Sequence, residues 1–442
     1  ALNRPRYVGS TPVGKAQLAA PNVVDFNVPG MARRMERNMS QSLPHKSDNP
    51  VDVLLLSILG LALVVRLIAL WALPDIYMPD SADYLVDGTG LFQAGQIPGH
   101  KYMPLYSILA YITGGETSLK IADVTLSTLT VWMIYKIVNT VFQVRSAAII
   151  AALIAAGYPH FVFYSIIKLS ETLYLFLTCW AFLLLYERKL FWGAALLILS
   201  IMTRPTVYIL APILIFGFSK FIWREPTGRS FRNVAIYLTI YLAIMSPWWL
   251  HNYEKYDAFV HLTLGDGLVL YSGNNPINVT GGGVAIDGVG DMNTAAFKDI
   301  SDLIARNQAY KDAAIDYIVE DPAHFVYMAG VKFVRFWRLW PFAPEYQQSH
   351  IIVASILSYG TVLFLSLGFF FRRPSNQIIR AMPFMLFAAY LTAVHMVTIG
   401  SIRYRLPVEP FLIVLASITL KDVAYRFSYG RQLLAHLGIG EN

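Results

Sequence analysis

Along this chain apolar residues fall in long blocks separated by short charged connections, not at the alternating spacing of water-facing helices or strands. The first block covers residues 51–73. At about 1.5 Å of rise per residue, a helix of that length crosses a hydrocarbon layer of roughly 30 Å. Comparable blocks lie at 117–142, 147–166, 170–186, 190–203, 205–222, 232–250, 351–371, 378–399 and 407–420. The pattern predicts an all-α integral membrane protein with about ten transmembrane helices.

Between the blocks, two polar stretches exceed an ordinary connection. Residues 74–116 are rich in Pro, Gly, Tyr and Asp, and the run from Tyr102 through Tyr106 to Tyr111 reads as a short helix at a membrane interface, where aromatic rings are well placed. Residues 251–330 alone have the composition of a soluble domain, with a Gly-rich turn at Gly281, Gly282 and Gly283 and a polar helix expected from about 295 to 320. Within 323–342, His324, Lys332, Arg335 and Arg338 alternate with Phe325, Phe333, Phe336, Trp337 and Trp340. Too many charges stand there for a lipid-facing span, so the stretch predicts an amphipathic helix on the outer face.

Composition changes the picture in one respect. With 56% hydrophobic and 14% charged residues, against about a quarter charged for a soluble domain, the chain has too little polar surface to face water all round. The lone cysteine, Cys179, lies inside a predicted span, which rules out an intrachain disulfide and a cysteine-based zinc site.

The net charge of +7 would suit nucleic acid, but its distribution argues for topology. Arg33, Arg34, Arg37 and Lys46 precede the first span; Arg145, Arg188, Lys189, Arg224, Arg229, Arg232, Arg372, Arg373 and Arg380 sit in alternate short loops; Lys421, Arg426 and Arg431 follow the last span. Basic loops stay cytoplasmic, so ten spans put both termini inside and no nucleic-acid partner is implied. Residues 1–48 lack the apolar core of a secretory signal and predict a mobile cytoplasmic tail; Met31 is one reading of the natural start, the preceding residues then being an upstream extension. The expected organisation is a tail at 1–48, a transmembrane module at 49–250 that includes the outer loop 74–116, an extracytoplasmic loop domain at 251–345 with a membrane-surface helix, C-terminal transmembrane helices at 346–421 and a cytoplasmic tail at 422–442.

In this topology the ionisable groups of five distant segments reach one membrane face: Asp80 and Asp83; Tyr158, His160, Lys168 and Glu171; Arg204; His251; Arg403 and Arg405. Asp80, just beyond the first span, suits an N-cap for the helix through Tyr84 or a general base at the lipid–water boundary; Asp83 lies one turn on. Arg403 and Arg405 precede Pro407 at the start of a span, and their forks match phosphate oxygens or lipid head groups alike. Thr203-Arg204-Pro205 fits a tight interhelical turn, His395 a hydrogen-bonded interior residue, and the acidic stretch 287–291 a simple turn without the calcium-loop ligand pattern.

Taken in order, these segments resemble the C-type (GT-C) membrane glycosyltransferases that use polyprenyl-phosphate sugars, in the bacterial branch related to protein O-mannosyltransferases and the lipid A aminoarabinose transferase. The resemblance rests on Asp80 with Asp83-Tyr84, Gly95 and Tyr102-Met103-Pro104-Leu105-Tyr106, Ser170-Glu171, Thr203-Arg204-Pro205, Pro247-Trp248-Trp249 with His251-Asn252-Tyr253, Gly273-Asn274-Asn275-Pro276, and Arg403-Tyr404-Arg405-Leu406-Pro407. It departs twice: Ser81 follows Asp80 where the family often has Asp-Glu, and His251 stands where it commonly has Arg.

The resemblance implies a GT-C-like fold, with outer-face amphipathic helices and one mixed extracytoplasmic loop domain. It implies an inverting transfer of a hexosyl or pentosyl group from a polyprenyl-phosphate donor to an acceptor hydroxyl of a lipid, glycan or protein. The expected setting is the extracytoplasmic (periplasmic) side of a multi-pass cytoplasmic (inner) membrane protein active in cell-envelope glycan biosynthesis. It assigns Asp80, then Asp83, as catalytic base, and Arg403, Arg405, Lys168 and Arg204 to donor phosphate. Tyr84, Tyr102, Tyr158, His160, Glu171 and His251 are assigned to substrate positioning. No protein-bound metal site is assigned, and a divalent cation stays open as a cofactor beside the lipid-linked donor. The rival class is transport, a lipid-linked sugar flippase or secondary transporter, which calls for polar groups near mid-bilayer and paired broken spans.

Overall fold

The computed structural model describes residues 52–436 except 75, 77, 284–296, 298, 343 and 372. The expected tail at 1–48, the Met31 start, the turn at 287–291 and Arg372 lie outside the described residues.

Every apolar block is helical. The helices run α1 Val53–Ala72, α2 Pro79–Ala94, α3 Pro104–Ile112, α4 Glu116–Phe142, α5 Arg145–Ala156, α6 Pro159–Tyr164, α7 Glu171–Tyr186, α8 Leu190–Ile201, α9 Leu210–Ile222 and α10 Thr227–Tyr256. There follow α11 Asp266–Gly273, α12 Leu303–Glu320, α13 Pro322–Trp337, α14 Ser349–Gly368, α15 Ser375–Val397, α16 Ile402–Arg405, α17 Glu409–Arg426 and α18 Ser428–His436. No strand occurs among the described residues.

The ends follow local chemistry. Pro79, Pro104 and Pro159 each open a helix at the first turn, where the missing N–H has no partner to lose. Asp302 and Asp321 cap α12 and α13 by accepting from Ile304 N (3.0 Å) and His324 N (2.9 Å). The block 147–166, continuous in hydropathy, is broken into α5 and α6, because Pro159 forces Tyr158 into extended backbone (φ −71°, ψ 115°).

Helices α1, α4, α10, α14 and α15 are long and apolar enough to cross a membrane; α5, α7, α8 and α9 are shorter apolar helices. The protein is a multi-pass membrane protein. Its core is built where α4, α5, α7, α8, α14 and α17 pack on one another, with α7 buried almost throughout, Cys179 included. The α10 side chains Phe231, Leu238, Leu242 and Leu250 are exposed, an apolar stripe that suits hydrocarbon rather than water.

Arg66 and Asp123 are ionisable side chains buried inside apolar helices. Arg66 of α1 is fully buried and donates to Ser127 Oγ (2.8 Å), Ala62 O (2.9 Å) and the α5 C-terminal carbonyls of Ala156 (3.0 Å) and Ala155 (3.4 Å). Asp123 of α4 accepts from Tyr106 Oη of α3 (2.6 Å). Both tie helices together, which is how a charge at this depth is normally tolerated. The helix expected at 323–342 exists as α13, but its polarity is inverted. Lys332 and Arg335 are buried against neighbouring backbone, while Val326, Tyr327, Phe333 and Val334 face outward.

Candidate active site

Helix α2 begins with Met78 extended, Pro79 at the first turn and Asp80 next to it. The Asp80 carboxylate makes no capping bond to its own helix. Instead Oδ1 accepts from Tyr102 Oη (2.9 Å) and Oδ2 from Arg403 Nη2 (2.8 Å), 323 positions away. Tyr102 sits just ahead of α3, and its ring packs on that of Tyr84 one turn beyond Asp80 (4.7 Å between centroids). The Asp80 side chain keeps 27% exposure, so one edge remains open to a reacting group. Burial would raise its pKa, but the Arg403 guanidinium, with hydrogen bonds from Arg403 and Tyr102, holds the carboxyl below its ordinary value.

Arg403 is carried by α16, a single turn capped by Ser401 Oγ (3.3 Å). Its Nη2 meets Asp80, and its Nε donates to Glu171 Oε1. Glu171, at the buried first turn of α7, also accepts from Arg204 Nη1 (2.8 Å), which reaches Ser170 Oγ as well (3.2 Å). Ser170 Oγ lies 3.0 Å from Tyr84 Oη, and Ser81 Oγ donates to Ile167 O (3.0 Å), locking α2 to the segment ahead of α7. Arg204 stands in extended backbone before Pro205, 5.7 Å over the Tyr404 ring. Two carboxylates thus alternate with two guanidiniums. Burial opposes each cation, but Glu171 more than offsets it and, with Asp80 beside Arg403, holds both guanidiniums above their ordinary pKa.

The structure therefore brings together Asp80, Tyr84, Tyr102, Glu171, Arg204 and Arg403 and leaves the other candidates apart. Asp83 is exposed on α2. Lys168, in left-handed backbone (φ 56°), pairs with Glu116 at 2.6 Å. Arg405 is fully buried with Glu409 (Nε–Oε1 2.9 Å), whose other oxygen meets His160 Nδ1 (2.9 Å) with the buried Tyr158 ring packed beside it (5.5 Å between centroids). That second cluster points into the helix packing. His251 Nε2 accepts from Ile97 N (3.4 Å), and Lys255 donates to the carbonyls of Ile97, Pro98 and Gly99, so the end of α10 clamps the loop between α2 and α3. Glu116 and Glu409 escaped the sequence reading, and Ser170 entered it only as a partner of Glu171 in the motif, without a role. Glu409, like Arg66 and Asp123, was detectable as a charge at the edge of or inside an apolar block.

These side chains offer a divalent cation few free oxygens: the Arg403 guanidinium bridges Asp80 Oδ2 and Glu171 Oε1, and no group of three or more His, Cys, Asp or Glu side chains stands together among the described residues. An apolar groove of about 410 Å³ opens between α13, α14, α15 and α17, lined by Phe333, Trp337, Leu367, Phe384, Val408 and Leu415 among others. Val408 places one wall of it three residues beyond Arg405.

Residues 102–251 match the family model described as dolichyl-phosphate-mannose-protein mannosyltransferase, a stretch containing Tyr102, Glu171 and Arg204 of the site. The fold is similar to the oligosaccharyltransferase of Archaeoglobus fulgidus in its apo form (TM-score 0.51, 14% identity), covering 88% of this chain and 52% of that one. It is also similar to the archaeal oligosaccharyltransferase AglB of the same organism in complex with an inhibitory peptide and a dolichol-phosphate (TM-score 0.53, 15% identity, the same coverage). The chain spans about half the length of those structures. No curated protein matches it. The comparisons thus give an all-helical membrane fold similar to that of these oligosaccharyltransferases, and a mannosyltransferase-family match over the segment that supplies Glu171 and Arg204, half of the charged site.

Proposed function

We propose that the protein is an inverting glycosyltransferase that moves a sugar from a polyprenyl-phosphate donor to an acceptor hydroxyl at the extracytoplasmic face of the cytoplasmic membrane. The observation that carries this reading is the sharing of Asp80 between Tyr102 and Arg403, with one edge open and a second guanidinium, Arg204, one carboxylate away. Asp80 accepts the acceptor's proton as the acceptor oxygen bonds to the anomeric carbon, and the bond from that carbon to the phosphate oxygen breaks on the opposite side. The leaving phosphate is stable as an anion near neutral pH, so no general acid is required, unlike in glycosidases. Arg403 and Arg204 receive the growing charge; each guanidinium has five donors, and Arg403 uses Nε and Nη2 in the bonds described above. Tyr84, Tyr102 and Glu171 hold these groups in place, and the apolar groove suits an isoprenoid tail. The basic residues of alternate short loops support placing the site on the extracytoplasmic side.

The test is transfer from a panel of radiolabelled polyprenyl-phosphate sugars by the purified protein, with membrane extract as acceptor, with and without EDTA. Label should pass from one donor to product, equally with and without chelator. If no donor is consumed while lipid-linked sugar crosses the bilayer of reconstituted vesicles, transport replaces this reading.

A second prediction follows from the electrostatics. Asp80 acts ionised, and its pKa is held below the ordinary value of about 3.9. The acid limb of kcat/KM therefore lies below that value, and the profile is flat from pH 5 to neutrality as far as Asp80 is concerned. Arg403→Gln removes the cation that offsets burial, so its limb moves upward into the measured range. A limb at the same pH in both proteins separates Asp80 from Arg403 functionally.

A further inference from the structure

Arg403 is delivered to the site by the connector between α15 and α16, and that connector is held from one side by an unusual arrangement. Lys332 of α13 is fully buried, yet its ammonium meets uncharged oxygens only in the contacts described: Asn274 Oδ1 at 2.9 Å and Val397 O at 3.2 Å. Asn274 closes the triangle by donating to the same Val397 O (2.9 Å). One turn along α13, Arg335 Nε donates to Gly400 O (2.8 Å), and Gly400 N donates to Gly281 O (2.9 Å). The packing leaves no room for side chains. A Cβ on Gly273 would collide with Thr398 O, and one on Gly400 would stand 2.6 Å from Lys332 O. Three segments, 273–282, α13 and 397–400, thus interlock around one ammonium, directly ahead of Ser401 and Arg403.

A buried ammonium without a carboxylate is expensive in free energy, and burial draws this one down to about 8, still cationic at neutral pH. Its donors go to the residue that ends α15 and to the amide that braces it. The ends of the connector are therefore fixed at Val397 by Lys332 and at Gly400 by Arg335, and the free end is Arg403. Resting on the assignment of Arg403 to the reacting cluster above, we propose that Lys332 is a positioning residue, which through Asn274 and the 397–400 connector sets the Arg403 guanidinium between Asp80 and Glu171. It touches neither donor nor acceptor. The inverted polarity of α13 has its reason here: the charged face of the helix is turned inward to hold backbone.

The experiment uses the full chain in lipid nanodiscs, with Lys332→Met and Asn274→Ala, the second keeping the ammonium and removing its brace, so that it serves if the first fails to fold. Amide hydrogen exchange across 397–405 should quicken by about tenfold or more in either variant, and kcat/KM should fall by roughly 10- to 100-fold, the range expected for a misplaced catalytic group. The reading specific to positioning is the acid limb. It should move upward as in Arg403→Gln, because Asp80 loses part of its cation. Unchanged exchange at 397–405 overturns the proposal. Faster exchange with an unmoved limb also overturns it, reducing Lys332 to a structural tie. Should the unaltered protein transfer no sugar, the functional reading fails by itself, and the exchange measurement still decides whether Lys332 governs the connector.

Discussion

Asp80→Asn lowers kcat for sugar transfer by about 10²- to 10⁴-fold, the span associated with loss of a positioned general base, and leaves the melting temperature within a few degrees of the unaltered protein. The carboxylate has two partners and an exposed edge, so its replacement disturbs a part-exposed pair, not a sealed one. Asn keeps the shape and an oxygen that accepts from Tyr102, but it takes no proton from an alcohol. Glu171, the other carboxylate of the cluster, is 1% exposed and receives both guanidiniums on Oε1, so it lacks the access a base needs to reach an acceptor hydroxyl. Asp83, exposed one turn along α2, retains activity within about threefold as Asp83→Asn, since a solvated carboxylate away from the cluster has no proton to take there. Initial rates with folded, purified variants decide the matter. Full activity in both variants would remove the base from α2 altogether, and a dead Asp83→Asn beside an active Asp80→Asn would exchange their roles.

Hydropathy made the helices legible because a helix in lipid must be apolar for most of its length whatever it packs against. It located some blocks almost to the residue, 51–73 being α1 Val53–Ala72 and 117–142 being α4 Glu116–Phe142, and others less well, 232–250 being α10 Thr227–Tyr256 and 407–420 being α17 Glu409–Arg426. It did not find the break at Tyr158-Pro159, since an averaged window is blind to a single residue that cannot continue a helix. Nor could it tell which way α13 faces. Charges on an amphipathic helix normally point to water, and here backbone carbonyls and an amide from distant segments attract them inward. The site was legible as a set of residue types on one side of the membrane, but its partners were not. Asp80, Glu171, Arg204 and Arg403 meet across as many as 323 positions, and only packing decides such meetings. Arg403 and Arg405 looked alike in sequence. They sit two apart on one helical turn, where side chains diverge, so one must face the cluster and the other turn away.

That divergence gives the largest expected effect on stability. Arg405→Ala should destabilise the fold by about 3–5 kcal/mol, the usual consequence of removing one partner of a buried ion pair. Arg405 and Glu409 have no exposed side-chain surface, and Arg405 also donates to Phe336 O (3.0 Å) and Arg338 O (2.6 Å) at the end of α13 while lying 3.4 Å over the Tyr359 ring. Its loss leaves Glu409 facing His160 alone and strips those carbonyls of their donor. Arg405→Lys should rescue little, because a single ammonium cannot reach a carboxylate, two carbonyls and a ring face with one geometry. Arg403→Lys should behave in the opposite way, melting close to the unaltered protein but with a raised KM for the donor, since the part-exposed cluster tolerates a point charge that no longer forks to phosphate. Thermal melts in detergent, paired with donor KM for whatever folds, separate the two. An Arg405→Ala protein that melts normally and has a raised donor KM would return Arg405 to the donor phosphate, and the boundary drawn between the reacting cluster and the buried one would then have to move to include Glu409 and His160.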